Sequence, residues 1–146
     1  MTAARDKRLQ AIRELVRAQR LCTQAELAAA LAARGLKAAQ ATVSRDIASL
    51  GLRKAEDGSY VLPEDLALQA RVAQAGVQAR HALNQAIVIT TPGSANSVAA
   101  AIDAARPEGV LATLAGDDTI LVVCADEQAA QAFAGYVDGL LASRGQ

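Results

Sequence analysis

TQAELAAALAARGLKAAQATVSRDIASLGL, residues 23–52, decides the fold of the first half of this chain. The stretch reads as two short amphipathic helices separated by a turn that contains Gly35. Thr23, followed three residues later by Glu26, forms the pattern of a capping box and predicts where the first of these helices begins. Gly35 predicts where it ends, because glycine is favoured just after the last residue of a helix.

The second helix of this stretch is predicted from about Ala39 to Leu50, with Gly51 as its stop. At 100° per residue, Val43, Ile47 and Leu50 fall within roughly 60° of one another and form a buried stripe. The rest of the helix surface then presents small polar side chains and one arginine, namely Gln40, Thr42, Ser44 and Arg45. Arginine pairs bidentately with guanine, and Ser, Thr and Gln hydrogen-bond bases or phosphates. The pattern therefore predicts a recognition helix that enters the major groove of duplex DNA.

The flanking segments complete a small domain. A helix is predicted over residues 5–18, ahead of the two helices described above. After them, residues 52–55 and 60–62 resemble two short strands, and Asp57-Gly58 supplies the turn signal between them. Three helices followed by a small hairpin predict a winged helix-turn-helix domain over residues 1–63.

Basic residues beside the predicted recognition helix are candidates for phosphate contacts. Arg53 and Lys54 lie at the base of the wing, and the first helix contributes Arg5, Lys7 and Arg8. A helix-turn-helix domain that binds only proteins is the alternative. Single-stranded nucleic acid is disfavoured, because that mode of binding uses stacked aromatic rings and this half of the chain offers only Tyr60.

The zero net charge of the whole chain hides a division between its halves. Residues 1–62 carry eleven Lys and Arg against six Asp and Glu, a net charge of +5, whereas residues 63–146 carry four against nine, a net charge of −5. Opposed halves of this kind indicate a part that binds a polyanion joined to a part with another task, although a chance fluctuation of surface charge is the alternative.

Composition points to a protein of the cytoplasm. Cys22 and Cys124 are too few for a disulfide framework, and no CxxC spacing suggests zinc. The charged start is unlike a signal peptide. The longest uncharged run, residues 81–102, is interrupted by polar residues, proline and glycine, so no membrane span is expected.

The second half is predicted to contain a linker and a second domain. Residues 64–81 are rich in Ala and Gln without a clear period, and this composition predicts a linker with some helical tendency. A domain over residues 82–146 follows, in the order strand 86–91, helix 94–105, strands 110–114 and 119–124, and a last helix capped by Asp126. The expected fold class is α/β (α+β): the winged helix-turn-helix domain plus a two-layer β-α-β-β-α domain with both helices on one sheet face.

Two of these strands are apolar on both sides. Residues 87–89 and 120–123 are continuous apolar runs, and such strands are normally covered on both faces. Two helices cover only one face, so the second face is predicted to be covered by another copy of the chain in an obligate oligomer. The alternative is that the linker folds over that face.

The turn at residues 115–119 carries two adjacent carboxylates, Asp117 and Asp118. Gly-Asp-Asp is common in ordinary hairpin turns. Beside a subunit interface, however, these carboxylates would repel one another unless a cation binds between them. A guanidinium fits such a pair bidentately, and a divalent metal is the alternative.

Three segments resemble the bacterial arginine repressor family: AQATVSRDI at 39–47, PGSAN at 92–96 and LAGDDTILVV at 114–123. The resemblance runs through the whole chain in the same order. It implies a transcriptional regulator of genes for arginine biosynthesis or catabolism, with an N-terminal domain that binds double-stranded operator DNA. It also implies a C-terminal domain that forms trimers, paired into a hexamer, with L-arginine bound between the trimers as co-repressor and no metal.

The resemblance also implies functional residues. Ser44 and Arg45 stand where the family contacts the operator, with Gln40 and Thr42 nearby. The residues at the family's L-arginine positions are Asp117 and Asp118, with Asn96, Asp103, Thr113 and Ala115 around them. Two departures are present: Ala39 stands where the family often has threonine, and Ala112 where glycine commonly precedes the threonine of the ligand strand.

An enzyme is not expected. A metal-dependent hydrolase would have to use Asp103, Asp117 and Asp118, and His81 is the only histidine. No nucleophile-base pair, phosphate loop or metal-ligand spacing accompanies them. A DNA-binding regulator whose effector is another amino acid or a metal remains the alternative to arginine.

Overall fold

The computed structural model describes residues 2–145. The chain divides into two compact units, Met1–Pro63 and Glu64–Gln146, each with its own hydrophobic core. No helix within residues 2–145 has both the length and the apolar character that crossing a bilayer requires.

The first unit contains three helices followed by a two-stranded hairpin. They are α1 (Thr2–Ala18), α2 (Gln24–Ala33), α3 (Gln40–Leu50), β1 (Arg53–Lys54) and β2 (Tyr60–Val61). Ile12, Leu15, Leu27, Leu31 and Val43 are fully buried at its centre. Because α2 packs against both α1 and α3, the unit has the helix-turn-helix arrangement predicted from residues 23–52, and the antiparallel hairpin is its wing.

The ends of α2 follow from local chemistry. Thr23 Oγ1 accepts a hydrogen bond from the Glu26 amide at 3.1 Å, as the capping pattern predicts. The Glu26 carboxylate reaches back one residue further than in the usual box and accepts from the Cys22 amide at 2.7 Å. At the other end Gly35 has a φ of 76°, and the Leu36 amide donates to the Leu31 carbonyl, which makes a Schellman termination.

The second unit is a four-stranded antiparallel sheet covered by helices. Its elements are α4 (Pro63–Ala75), β3 (Gly76–Ala82), β4 (Gln85–Thr90), α5 (Ala95–Ala105), β5 (Val110–Ala115), β6 (Thr119–Cys124), α6 (Glu127–Ala142) and a 3-10 turn (Ser143–Gly145). The strand order is β3-β4-β6-β5. The predicted β-α-β-β-α series is present as β4 to α6, and one helix and one strand precede it.

Those two additional elements correct the prediction of a linker over residues 64–81. Leu68, Val72 and Ala75 are buried and follow the i, i+4, i+7 spacing of a helix, and Ala79 of β3 is buried beside them in the same core. This apolar helical stripe is hard to predict from the sequence because Ala and Gln dominate the segment and only two large apolar side chains mark the period. Packing against the sheet, rather than local propensity, orders this segment.

The two faces of the sheet differ in burial. Along β4 and β6 the residues alternate, and every second one is buried under the helices: Ala86, Val88, Thr90, Ile120, Val122 and Cys124. The strand register places the intervening side chains on the opposite side. We call the apolar part of this second side the open face; it consists of Ile87, Ile89, Leu114, Leu121 and Val123, and the register places Gln78 and Arg80 of β3 beside it. Leu114 is 71% exposed, so the face is apolar and only partly covered within one chain.

Candidate functional site

The outer side of α3 presents the side chains predicted to read DNA. Gln40, Ser44 and Arg45 are exposed and Thr42 is partly exposed, whereas Val43 is fully buried. The structure thus brings all four predicted polar residues onto the accessible surface of one helix. Donors and acceptors arranged in this way match the pattern of base edges in a major groove.

The start of α3 lacks a side-chain cap. Ala39 occupies the N-cap position with φ −65° and ψ 151°, a normal backbone for that position, and no side chain there accepts from the first-turn amides. We expect Ala39→Ser to raise the free energy of unfolding of the first unit by about 1 kcal/mol. Urea unfolding followed by circular dichroism measures this. Ala41→Ser, inside the same first turn, is the matched control and should lower stability by about 0.5 kcal/mol or less.

At the wing, the two predicted phosphate contacts differ. Both Arg53 and Lys54 lie on exposed strand β1. The Lys54 ammonium, however, donates to the Cys22 carbonyl and lies 3.9 Å from the centroid of the Tyr60 ring. Lys54 therefore ties the wing to the start of α2, and a phosphate contact by this residue requires that tie to open.

A second set of side-chain hydrogen bonds holds the turn of the wing. Arg20 Nε donates to Asp57 Oδ2 at 3.0 Å, and Arg20 Nη2 donates to the Asp57 carbonyl at 2.6 Å. Asp57 also accepts from the hydroxyl and the amide of Ser59. The Ser59 hydrogen bonds, with the contribution of Arg20, lower the pKa of Asp57 to about 2. The carboxylate is therefore charged at neutral pH and keeps its hydrogen bonds with Ser59 and Arg20.

The first helix contributes less to a phosphate surface than the sequence predicts. Lys7 is exposed, but Arg8 pairs with Asp46 of α3 through two hydrogen bonds, and Arg5 Nη2 donates to Ser49 Oγ at 2.9 Å. The Arg8 guanidinium is therefore used inside the unit, and a phosphate contact by this residue requires its pair with Asp46 to open. Asp46 was missed at the sequence level. Its position three residues after buried Val43 was the available signal.

In the second unit, backbone hydrogen bonds anchor the acidic turn, residues 115–119, to neighbouring elements. The Asp117 carbonyl accepts from the Ala95 amide at 3.2 Å, and the Asp118 carbonyl accepts from the Thr90 amide at 2.7 Å. The end of β4 and the start of α5 therefore hold the turn in place. Both aspartates are exposed, and Asp118 Oδ1 accepts from Thr119 Oγ1 at 2.9 Å.

A second polar contact lies between α5 and edge strand β5. Thr113 Oγ1 donates to Asp103 Oδ1 at 2.8 Å, so these two side chains meet. They line a cavity of about 530 Å³. The remaining lining residues are Ile102, Arg106, Pro107, Val110, Leu111 and Ala112. Ala112, one of the two departures from the family pattern, therefore forms part of the cavity wall.

The other four residues predicted to bind a ligand lie outside that lining. Ala115 ends β5 and begins the acidic turn, and exposed Asn96 follows Ala95, whose amide holds the turn. Asp117 and Asp118 lie on the turn itself. One chain therefore brings these four near the junction of α5 and the turn, whereas Asp103 and Thr113 line the cavity beside β5. Residues 2–145 contain no cluster of three or more potential metal ligands.

Comparisons with known proteins agree with this arrangement. Residues 3–68 match the family model described as "Arginine repressor, DNA binding domain", and residues 72–138 match "Arginine repressor, C-terminal domain". An arginine repressor from Anaeromyxobacter sp. (strain K) is 46% identical over 132 residues, covering 87% of this chain and 82% of the relative. The chain belongs to the arginine repressor family.

Other members of the arginine repressor family match over nearly the full length. A protein from Thermus thermophilus is 42% identical over 146 residues, covering 92% of this chain and 89% of the relative. The one from Acidobacterium capsulatum is 37% identical over 147 residues, covering 94% and 99%. The resemblance found in three short segments is thereby confirmed, and so is the expected combination of a helical DNA-binding unit with a sheet-and-helix unit. As a member of this family the chain is a DNA-binding transcriptional repressor and not an enzyme.

Proposed function

We propose that this chain is an arginine-responsive repressor that binds operator DNA through α3 and regulates genes of arginine biosynthesis or catabolism in the cytoplasm. The observation that carries the proposal is the outer side of α3, where Ser44 and Arg45 are exposed within a unit that matches the family's DNA-binding domain. In this proposal Arg45 pairs with a guanine, and Ser44, Gln40 and Thr42 hydrogen-bond neighbouring bases or phosphates. Arg53 contacts phosphate from the wing, and Lys54 does so once it leaves the Cys22 carbonyl.

Removing the Arg45 guanidinium tests this role. We expect Arg45→Ala to weaken binding to the duplex that the wild-type protein selects from a random library by about 10- to 100-fold, since a bidentate base contact contributes about 1–3 kcal/mol of discrimination. Fluorescence anisotropy with L-arginine in excess measures the affinity.

Arg71→Ala is the matched control for the Arg45 experiment. Arg71 is an exposed arginine on α4, so its replacement removes the same charge from the second unit. Arg71→Ala should bind the selected duplex nearly as well as the wild-type protein does. Equal affinities for Arg45→Ala and the wild-type protein would contradict the proposed role.

We propose L-arginine as the effector, bound by Asp117 and Asp118 with Asp103, Thr113, Asn96 and Ala115 around it. The carboxylates supply the acceptors that a guanidinium and an ammonium require, and no metal is needed in this scheme. Thermodynamic linkage then requires that operator DNA tighten arginine binding by the same factor by which arginine tightens DNA binding.

The proposed effector site also needs a second chain. Asp103, Asp117, Asp118 and Asn96 are all exposed in one chain and Thr113 is only partly buried, so we propose that another subunit closes the site. The open face supplies the apolar surface for association, because large contiguous apolar patches on a protein surface mark interaction sites. The proposed assembly is a homotrimer, paired into a hexamer that arginine favours.

Oligomeric size tests the assembly. Analytical ultracentrifugation with and without millimolar L-arginine should show a trimer or hexamer, with the hexamer fraction increased by the ligand. A Leu114→Lys variant places a charge on the open face, where Leu114 is 71% exposed in one chain. It should therefore shift the protein toward monomer, because burying the new ammonium would be costly. A wild-type protein that sediments as a monomer under both conditions would contradict the proposal.

A further inference from the structure

Two polar side-chain contacts join α1 directly to α3. In the first, Arg8 donates to both carboxylate oxygens of Asp46, with Nη2 3.1 Å from Oδ1. In the second, Arg5 Nη2 lies 2.9 Å from Ser49 Oγ. The two arginines are one helical turn apart, and so are their partners on α3. Both contacts lie in the DNA-binding unit; Arg5 and Ser49 are exposed, whereas Asp46 lies on the buried side of α3, away from Arg45.

The Arg8–Asp46 contact is the more buried of the two. Asp46 is only 3% exposed, and the Arg8 side chain is 18% exposed. The Asp46 carboxylate raises the pKa of Arg8 above its ordinary value, so the guanidinium is charged at every accessible pH. A carboxylate buried to this extent strongly favours conformations in which its partner is in place, because an unpaired buried charge is costly.

The position of Asp46 gives this pair a directional consequence. Asp46 follows Arg45 in α3 and lies on the buried side with Val43, whereas Ser44 and Arg45 are exposed. The apolar contacts of Val43 are not directional and permit small rotations of a helix. A planar guanidinium meeting a carboxylate through two hydrogen bonds permits far fewer.

We infer that Arg8 is a positioning residue for sequence recognition. By clamping Asp46 it fixes the rotation of α3 about its own axis, and hence the direction in which Ser44 and Arg45 meet base edges. The inference rests on the proposed function, in which α3 reads duplex DNA. It assigns Arg8 a role in specificity, in contrast to the phosphate contact that its position in a basic helix suggests.

The ratio of affinities for two duplexes separates these roles. The probes are the duplex that the wild-type protein enriches most from a random library and an unrelated duplex of equal length, each with L-arginine in excess. Loss of folded protein lowers both affinities equally and leaves the ratio unchanged. Loss of a phosphate contact also lowers both and reduces the salt dependence of binding. Misdirection of α3 lowers the affinity for the selected duplex alone.

Arg8→Lys is the decisive variant, because lysine keeps the charge but cannot make the bidentate contact. We expect the ratio of affinities to fall about tenfold, with the affinity for the unrelated duplex and the salt dependence unchanged. Lys7→Gln, which removes a charge from an exposed neighbouring position, is the control. It should leave the ratio unchanged. An unchanged ratio for Arg8→Lys would overturn the inference.

Asp46→Asn provides a second variant whose electrostatic and positioning effects have opposite signs. Removing a negative charge near DNA should by itself raise the affinity for both duplexes. We expect instead that the affinity for the selected duplex falls while that for the unrelated duplex does not. A parallel rise for both would overturn the inference and leave the proposed function intact. A wild-type protein that enriches no duplex would overturn both.

Discussion

Replacing Asp118 with asparagine is expected to weaken L-arginine binding by about 30-fold or more. The change removes the charge of the carboxylate but keeps its shape, and loss of one partner from a close charge pair costs about 2–5 kcal/mol. The turn itself should survive. It is held through the Asp117 and Asp118 carbonyls by the Ala95 and Thr90 amides, which do not depend on the side chain. Isothermal titration calorimetry measures the affinity directly.

Two further variants sharpen this prediction. Asp117→Asn should weaken arginine binding to a similar extent, because the proposal gives both aspartates a share of the cationic ligand. Glu127→Gln removes one exposed negative charge from the first turn of α6 in the same unit and is the matched control. It should bind arginine as the wild-type protein does. Undiminished binding by Asp118→Asn, in a variant with unchanged circular dichroism, would show that the ligand lies elsewhere.

Replacing Gly109 with alanine is expected to lower the free energy of unfolding of the second unit by about 3 kcal/mol. Gly109 has a φ of +79°, and a Cβ there would lie 2.6 Å from the Ala129 Cβ on α6. The left-handed backbone costs an L-residue about 1–2 kcal/mol, and forcing an extra methyl group into a packed site costs about 1–3 kcal/mol. Urea unfolding at one fixed protein concentration measures the change, because association contributes to apparent stability.

Gly93 provides a control matched in backbone conformation. It has the same φ of +79°, but no atom lies within 4 Å of a Cβ built there. Gly93→Ala should therefore show only the backbone cost, about 1–2 kcal/mol. The double variant Gly109→Ala with Ala129→Gly removes the facing methyl group and should recover part of the loss. Equal destabilisation by Gly109→Ala and Gly93→Ala would show that the contact with Ala129 is unimportant.

The two helix caps predicted in the second unit differ in their hydrogen bonds. Asp126 was predicted to cap the last helix, and its side chain accepts from the Ala129 amide at 2.8 Å. Ser94 was predicted to cap α5 and does occupy the N-cap position, but its hydroxyl lies 3.0 Å from Thr91 Oγ1 and makes no cap hydrogen bond. The residue type predicts the place of a cap well, and the competing partner that it meets in space decides the bond.

The ligand region shows the same division. Asp117 and Asp118 were recognisable as a pair because they are adjacent in the chain. The meeting of Asp103 with Thr113 was implied only by family resemblance, because it depends on how α5 packs beside β5. That these residues share one site with Asn96 and Ala115 stays a prediction.

Sequence alone determined the features whose signals lie within a few residues of one another. These are the ends of α2, the hairpin of the wing, and the outward position of Ser44 and Arg45, which a helical period already implies. Tertiary structure alone decided that residues 64–81 form α4 and β3 and that Arg8 is bound by Asp46, 38 residues away. Helix periods and caps are local and act in any context. The pairing of a buried charge and the ordering of an Ala-rich segment depend on surfaces that exist only once the chain has folded.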